Sequence, residues 1–170
     1  MAFYGRRHVN IVSSNSRVSL NTTSLSEANA SYRVGITPSS TDAKIRVWYH
    51  IPGQFGAAHA ANTIYMYRSF RIIGTGGKTY DLNSSGYAHQ SRNDIAGWMQ
   101  RPSNGHDGND GGFATWWVYD HPNTTTVCYY GFEFKRETGG GGTMFFGYSQ
   151  DNNSNWGMDS NITIMAEEID

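Results

Sequence analysis

The sequence predicts an all-β protein, an antiparallel β-sandwich of the jelly-roll type. Short apolar and aromatic runs alternate with stretches rich in Gly, Asn, Asp and Ser, a pattern typical of strands joined by tight connections. Aromatic residues make up 14% of the 170 residues and charged residues only 16%, whereas about 25% charged residues is typical of soluble domains. No long segment has a sustained helical period, so helices contribute little to the prediction.

The strands expected in the first half of the chain are His8–Val12, Arg17–Asn21, Tyr32–Thr37, Ala43–Ile51 and Thr63–Ile73. The last two alternate with a period of two residues. One face of the fourth strand carries Ile45, Val47 and Tyr49, and the other carries Lys44, Arg46, Trp48 and His50. The fifth carries Ile64, Met66, Arg68 and Phe70 opposite Tyr65, Tyr67, Ser69 and Arg71. Because a sandwich strand needs only one apolar face, the second face should meet a partner chain or form a surface rich in Tyr and Trp.

The last third of the chain predicts an antiparallel β unit. The expected strands are Thr115–Tyr119, Thr125–Lys135, Thr143–Tyr148 and Ser160–Met165. Adjacent Trp116 and Trp117 must point to opposite sides of their strand, so one belongs to the core. The other side chain then lies at an interface or on a sugar-stacking surface, and the interface is the favoured interpretation.

Two short segments have weak helical signals. Leu25–Ser31 could form one turn with Ser24 or Ser26 as its N-cap. Ser91–Arg101 has a short apolar stripe, but a glycine interrupts it and Pro102 ends it. The expected loops are Thr37–Asp42, Pro52–Asn62, Gly74–Gly86, Pro102–Gly112, Thr138–Gly142 and Ser149–Gly157.

The domain organisation expected from these elements is simple. Residues 1–15 form an N-terminal arm or edge strand, and residues 16–170 form a single β-sandwich domain without internal repeats.

Composition argues against several classes of function. The net charge is −1 with no clustered basic excess, so nucleic-acid binding is not expected. No apolar run approaches 18 residues, so no membrane insertion is expected, and without a secretory signal the protein should be made and used without export. The single cysteine, Cys128, permits no intrachain disulfide and should be a buried thiol.

No motif predicts a catalytic, metal or cofactor site. The loop Gly105–Gly112 offers oxygen ligands, but the twelfth position from Asp107 is Val118 where a calcium loop needs Glu. The six histidines lack metal-ligand spacing, and Gly74–Lys78 lacks the phosphate-loop spacing, so a hairpin turn is expected there. We therefore expect a non-enzymatic protein. If it binds a ligand through exposed loops, the candidate recognition residues are His106, Asp107, Asn109, Asp110, Asn153 and Trp156.

Four segments, in this order and spacing, resemble a known family. They are ITPSSTDAKIRVWYHIPG from Ile36, IYMYRSF with IIGTGG after it, WWVYDHPNTTTVCYYGFEF, and the closing SNITIMAEEI. The chain resembles the β-rich C-terminal domains of virion surface and fibre proteins of tailed bacteriophages, notably marine and cyanobacterial phages. The closing segment departs from the family pattern by one inserted residue. The resemblance implies a jelly roll, often packed as a trimer, with a structural or adhesive role on the particle and no catalytic centre.

Family members commonly end a long fibre, but no shaft, coiled coil or collagen-like repeat precedes Ile36 here. We therefore expect a homotrimeric capsid decoration (cement) protein on the virion surface, assembled in the host cytoplasm. Its arm, Ala2–Val12, would dock on the major capsid protein or another virion protein through Phe3, Tyr4, Arg6 and Arg7. Strands Ile45–His50 and Tyr65–Arg71 are candidates for the trimer seam. The alternative is the receptor-binding tip of a tail fibre or spike that recognises a host surface glycan.

Overall fold

The chain folds into two antiparallel β-sheets in a computed structural model, which describes residues 8–14, 18–55, 64–82, 97–100, 111–136, 143–147 and 161–169. Its strands are β1 (Val9–Ser14), β2 (Val18–Leu20), β3 (Ser26–Glu27), β4 (Val34–Ile36), β5 (Lys44–Phe55), β6 (Ile64–Ile73), β7 (Lys78–Thr79), β8 (Gly97–Gln100), β9 (Gly111–Asp120), β10 (Cys128–Arg136), β11 (Met144–Phe146) and β12 (Ile162–Ile169). The predicted all-β antiparallel sandwich is confirmed. The trimer remains a prediction.

The first sheet, sheet A, is organised around β5. Strand β9 pairs with one side of β5 over residues 45–54. The other side of β5 pairs with β12 over residues 44–50 and with β11 over residues 53–55. Strand β1 extends the sheet beyond β12, and β2 extends it beyond β11.

The second sheet, sheet B, is organised around β10. Nine residue pairs join β10 to β6, and β7 and β8 pair with the opposite side of β6. The other side of β10 pairs with β4 near its start and with β3 near its end. Each sheet thus has one long pairing, β5 with β9 in sheet A and β10 with β6 in sheet B.

The core lies between the sheets, and one tryptophan connects them. The indole of Trp116 in sheet A stacks on Tyr49 of the same sheet and on Tyr67 of sheet B, with ring centroids 4.7 Å and 4.9 Å apart. Its Nε1–H donates to Ser69 Oγ at 2.9 Å, again in sheet B. The polar atom of this large buried ring is therefore satisfied, as buried Trp requires.

Most expected strands are present, and the two alternating strands face as predicted. Ile45, Val47 and Tyr49 are fully buried, whereas Trp48 on the other face is exposed. The predicted buried state of Cys128 is also confirmed. Burial raises the pKa of the Cys128 thiol to about 11, so it stays protonated and unreactive near neutral pH.

The prediction that a loop begins at Pro52 is wrong, because strand β5 continues to Phe55. The carbonyl oxygen of Pro52 accepts a hydrogen bond from Gly147 N at 2.9 Å, which shows that its backbone faces away from β9. On that side β12 pairs only as far as His50 and β11 begins at Gly53. The N–H that proline lacks is therefore not needed by either neighbour, and the strand tolerates the residue.

Three further expectations change. Residues 97–100 of the predicted helical stripe form β8, because pairing with β6 outweighs a weak local helical preference. Lys78 and Thr79, assigned to a loop, form β7, and the expected hairpin turn after β6 is confirmed by a 2.9 Å hydrogen bond from Gly76 N to Ile73 O. Gly111 and Gly112 of the predicted Pro102–Gly112 loop belong to β9.

The predicted helical turn exists but begins later than expected. Ala30–Tyr32 forms a short 3₁₀ turn, and Ser26–Glu27 forms β3 instead of an N-terminal cap. The cap is Asn29, whose side-chain oxygen accepts from Ser31 N at 2.9 Å.

The close packing of sheet B predicts a strong effect at Gly131. An added Cβ would lie 2.6 Å from Cζ of Phe70, whose side chain is fully buried. We expect Gly131→Ala to lower the free energy of unfolding by about 1–3 kcal/mol, measured by urea denaturation. The control is Gly77→Ala, where a Cβ meets nothing within 4 Å and a change within about 0.5 kcal/mol is expected. Equal effects at both glycines would contradict the packing argument.

Candidate interaction surface

The outer face of sheet A carries a row of apolar side chains across four strands. Ile11 of β1 lies opposite Met165 of β12, Met165 lies opposite Trp48 of β5, and Trp48 lies opposite Trp117 of β9. We call these four residues the tryptophan row. Ile11 is 54% exposed, Trp48 39% and Trp117 56%. Single exposed apolar residues are common, but a contiguous row indicates an interaction surface.

The two tryptophans of the row stack on each other. Their ring centroids are 6.0 Å apart and their planes differ by 12°. An aromatic pair of this kind contributes about 0.5–1.5 kcal/mol beyond simple burial. The pair therefore holds both rings in place before any partner binds, which lowers the entropic cost of association.

Rows of mainly polar side chains lie on both sides of the tryptophan row. One, which we call the ion-pair row, consists of Val9, Glu167, Arg46 and Tyr119, and its Arg46 and Glu167 side chains form an ion pair. The other, the hydroxyl row, consists of Ser13, Thr163, His50 and Thr115, and His50 Nδ1 lies 3.0 Å from Thr115 Oγ1. The central apolar row is thus bordered by polar groups that already contact each other.

The outer face of sheet B has the opposite character. Glu133 accepts hydrogen bonds from Arg68 at 2.7 Å and Lys78 at 2.9 Å, and Glu27 pairs with Arg33 and Lys78. Lys78 also lies 4.5 Å above the ring of Phe70. Cations and carboxylates therefore cover Phe70, which has no exposed area, whereas Tyr129 of the same sheet is 37% exposed.

A buried ion pair fixes the end of β9. Asp120 Oδ1 accepts from Arg71 Nη1 at 2.5 Å, and Asp120 Oδ2 accepts from the Tyr130 hydroxyl at 2.7 Å. Burial raises the pKa of Asp120, and the hydrogen bonds from Arg71 and Tyr130 oppose that change. Burial and the nearby carboxylate raise the pKa of Tyr130, so its hydroxyl remains a donor. These contacts join β9 to both β6 and β10 across the core.

The candidate residues predicted from loops and the N-terminus lie outside the described residues. These are the arm residues Phe3, Tyr4, Arg6 and Arg7 and the loop residues His106, Asp107, Asn109, Asp110, Asn153 and Trp156. Of the two predicted seam strands, Ile45–His50 contributes Trp48 to the tryptophan row. In the other strand, Tyr65–Arg71, the outward-facing Arg68 forms an ion pair with Glu133, and Phe70 lies beneath Lys78.

Sequence reasoning missed Val9, Ile11 and Met165 as parts of one surface. Their alternation with polar or core residues was visible, but the cross-strand register that places β1 and β12 beside Trp48 was not. Within the described part of the chain no cluster of three His, Cys, Asp or Glu side chains could hold a metal ion. No helix among the same residues is long and apolar enough to span a membrane.

No protein-family model matches the chain, and no curated protein matches it. Among solved structures it is similar to the D431N mutant VP2 protein of infectious bursal disease virus from derived T=1 particles, with 10% identity and a TM-score of 0.41. It is also similar to the VP2 subviral particle of infectious bursal disease virus, with 10% identity and a TM-score of 0.40. A structure of the Gx strain of that virus matches with 11% identity and a TM-score of 0.40.

These matches cover 96% of this chain but only 36% of the first structure and 38% of each of the other two. The chain therefore spans little more than a third of the proteins it matches. At this identity and TM-score the likeness carries no argument about what this chain does or binds.

The buried ion pair predicts unequal effects of removing its two acidic neighbours. Asp120→Ala would leave the buried Arg71 charge without its main partner, so we expect the free energy of unfolding to fall by about 3–5 kcal/mol. Asp81 lies 3.4 Å from Arg71, but its side chain is 70% exposed, and Asp81→Ala should change stability by no more than about 0.5 kcal/mol. Chemical denaturation of both variants checks this, and comparable losses would be inconsistent with it.

The carboxylates of sheet B predict a pH dependence. Burial alone would raise the pKa of Glu133, but hydrogen bonds from Arg68 and Lys78 lower it below the ordinary value of 4.5. A lowered folded-state pKa contributes stability that is present above the unfolded value and is lost as pH falls through the folded value. Glu133→Gln should therefore be less stable than the wild type at pH 7, with a difference that shrinks below about pH 4.5. Denaturation between pH 7 and pH 3 measures it, and a constant difference would refute it.

Proposed function

We propose that this protein is a non-enzymatic structural protein of a bacteriophage virion, a surface decoration subunit that binds the assembled shell and stabilises it. The observation that carries the proposal is the tryptophan row, a contiguous exposed apolar surface on a sandwich whose opposite face carries a network of ion pairs. Such a one-sided surface suits a subunit that is held among other subunits. The resemblance of four sequence segments to phage virion domains supports the same proposal.

The proposed mechanism is mass action. A subunit that binds the assembled shell and not its disassembled parts shifts the equilibrium toward the assembled state by its binding free energy. In this proposal the arm residues Phe3, Tyr4, Arg6 and Arg7 contact the major capsid protein or another virion protein. The subunits act as homotrimers on the particle surface, after assembly in the host cytoplasm.

A second candidate function is supported by the exposed indole rings. Trp48 and Trp117 present aromatic surface on which a sugar ring could stack, as in the receptor-binding tip of a tail fibre or spike. A host surface glycan would then be the ligand, and the loops near His106 and Trp156 would supply polar contacts.

The two proposals predict different positions on the particle. For a decoration protein, gold-labelled antibodies should mark the head of intact phage, and particles lacking the protein should release DNA at a lower temperature or after milder osmotic shock. Adding purified wild-type protein back should restore resistance, since only binding to the finished shell is required. Label confined to the tail, together with unchanged resistance of the depleted particles, would refute decoration and favour glycan recognition.

A further inference from the structure

The outer face of sheet A is arranged so that it can pair with itself. We propose that the tryptophan row is a contact between two copies of this chain, packed face to face about a two-fold axis that runs parallel to the strands between β12 and β5. A two-fold axis in this position reverses the order of the strands, so that β1 faces β9 of the second copy and β12 faces β5. The same four residues then form both sides of the contact, as an isologous interface requires.

The order of side chains in the tryptophan row matches this axis. Reversal of the strands places Ile11 opposite Trp117 of the second copy, and Met165 opposite its Trp48. Each aliphatic or thioether side chain thus meets an indole ring, and contacts between methionine sulfur and aromatic rings are favourable. Two sheets packed face to face in this way are a common arrangement, about 10 Å apart and rotated by about 30°.

The charges in the ion-pair row match the same axis. Glu167 and Arg46 occupy neighbouring strands of one row, so reversal places Glu167 opposite Arg46 of the second copy, and Arg46 opposite its Glu167. Each copy brings one positive and one negative charge, and unlike charges face each other at both positions. In the hydroxyl row Thr163 faces His50 of the second copy, which requires no buried charge. Complementary charges of this kind fix the relative position of two subunits.

The exposed apolar area is also of the size that such a contact needs. The exposed parts of Val9, Ile11, Trp48 and Trp117 amount to about 400 Å² per copy, from their exposed fractions and ordinary side-chain areas. A stable interface buries about 800 Å² per partner, of which about 57% is non-polar. The apolar part of one standard interface is therefore present on this face.

This contact goes beyond the proposed function, because it concerns association of the chain with itself and not its location on a particle. If the protein forms decoration trimers, a two-fold contact of this kind would join subunits of neighbouring trimers. It can be tested on purified protein alone, so its failure and the failure of the decoration proposal give separate results.

The first test is sedimentation of the purified full chain over a concentration series. We expect a reversible dimer of the wild-type subunit, or of a larger unit if the chain is already oligomeric. Trp117→Ala should weaken this step at least about tenfold, since an exposed tryptophan that becomes buried in an interface is a typical hot spot. The matched control is Tyr129→Ala, which removes an aromatic residue 37% exposed on sheet B and should change the dissociation constant less than about threefold.

The second test separates the contact between copies from the ion pair within one copy. Arg46→Glu and Glu167→Arg each break the internal ion pair, and each places like charges opposite one another in a homodimer. Neither variant alone should associate. When the two are mixed, every introduced charge faces an opposite one across the proposed axis, so a one-to-one complex should form although the internal ion pairs remain broken. Circular dichroism and thermal unfolding of each variant establish that it is folded.

Two results would overturn the proposal. One is a wild-type protein that shows no self-association at about 100 µM. This includes a monomer that binds a glycan and loses that binding in Trp117→Ala. The other is a pair of folded charge variants that fail to associate on mixing. If both charge variants are unfolded, the result with Trp117→Ala and Tyr129→Ala decides, and equal weakening by these two would also refute it.

Discussion

The position of Trp116 between Tyr49 and Tyr67 is the constraint on which the rest of this structure depends. It joins the two sheets through ring stacking and through its hydrogen bond to Ser69. Successive residues of a strand point to opposite faces, so burial of Trp116 places Trp117 on the outside. The exposed tryptophan is therefore a direct consequence of how the core is closed.

The register of β9 has a second anchor at its end. Asp120 lies on the same face as Trp116 and is held by Arg71 and Tyr130 from the other sheet. A slip of one residue would remove Trp116 from its contacts with Tyr67 and Ser69 and the Asp120 carboxylate from Arg71, so both losses oppose it. Since Trp48 is aligned with Trp117 through this register, the buried contacts of the core determine the geometry of the outer surface.

Features of the fold and of the surface could be predicted from the sequence where they depend on residues that are close together in the chain. The alternation of Ile45, Val47 and Tyr49 with Trp48 is local, and it gave the strand and its faces correctly. The adjacency of Trp116 and Trp117 likewise predicted one core and one surface ring. Because β1, β12, β5 and β9 are far apart in sequence, their side-by-side register is set by tertiary packing, and no local pattern indicated that Ile11 and Met165 would continue the same row. The strand β8 was missed for the same reason, since pairing with β6 determines its conformation.

The polar groups around the tryptophan row favour a protein partner over a glycan. Sugar recognition combines an aromatic platform with polar groups that hydrogen-bond to hydroxyls, and specificity comes from those groups. Here Arg46 and Glu167 already pair with each other, and His50 already contacts Thr115. These side chains could hydrogen-bond to a sugar only if their present contacts were broken. A second copy of the same face can leave these contacts intact and place an opposite charge across from each charged side chain. Self-association would therefore add favourable contacts, whereas glycan binding would break existing ones.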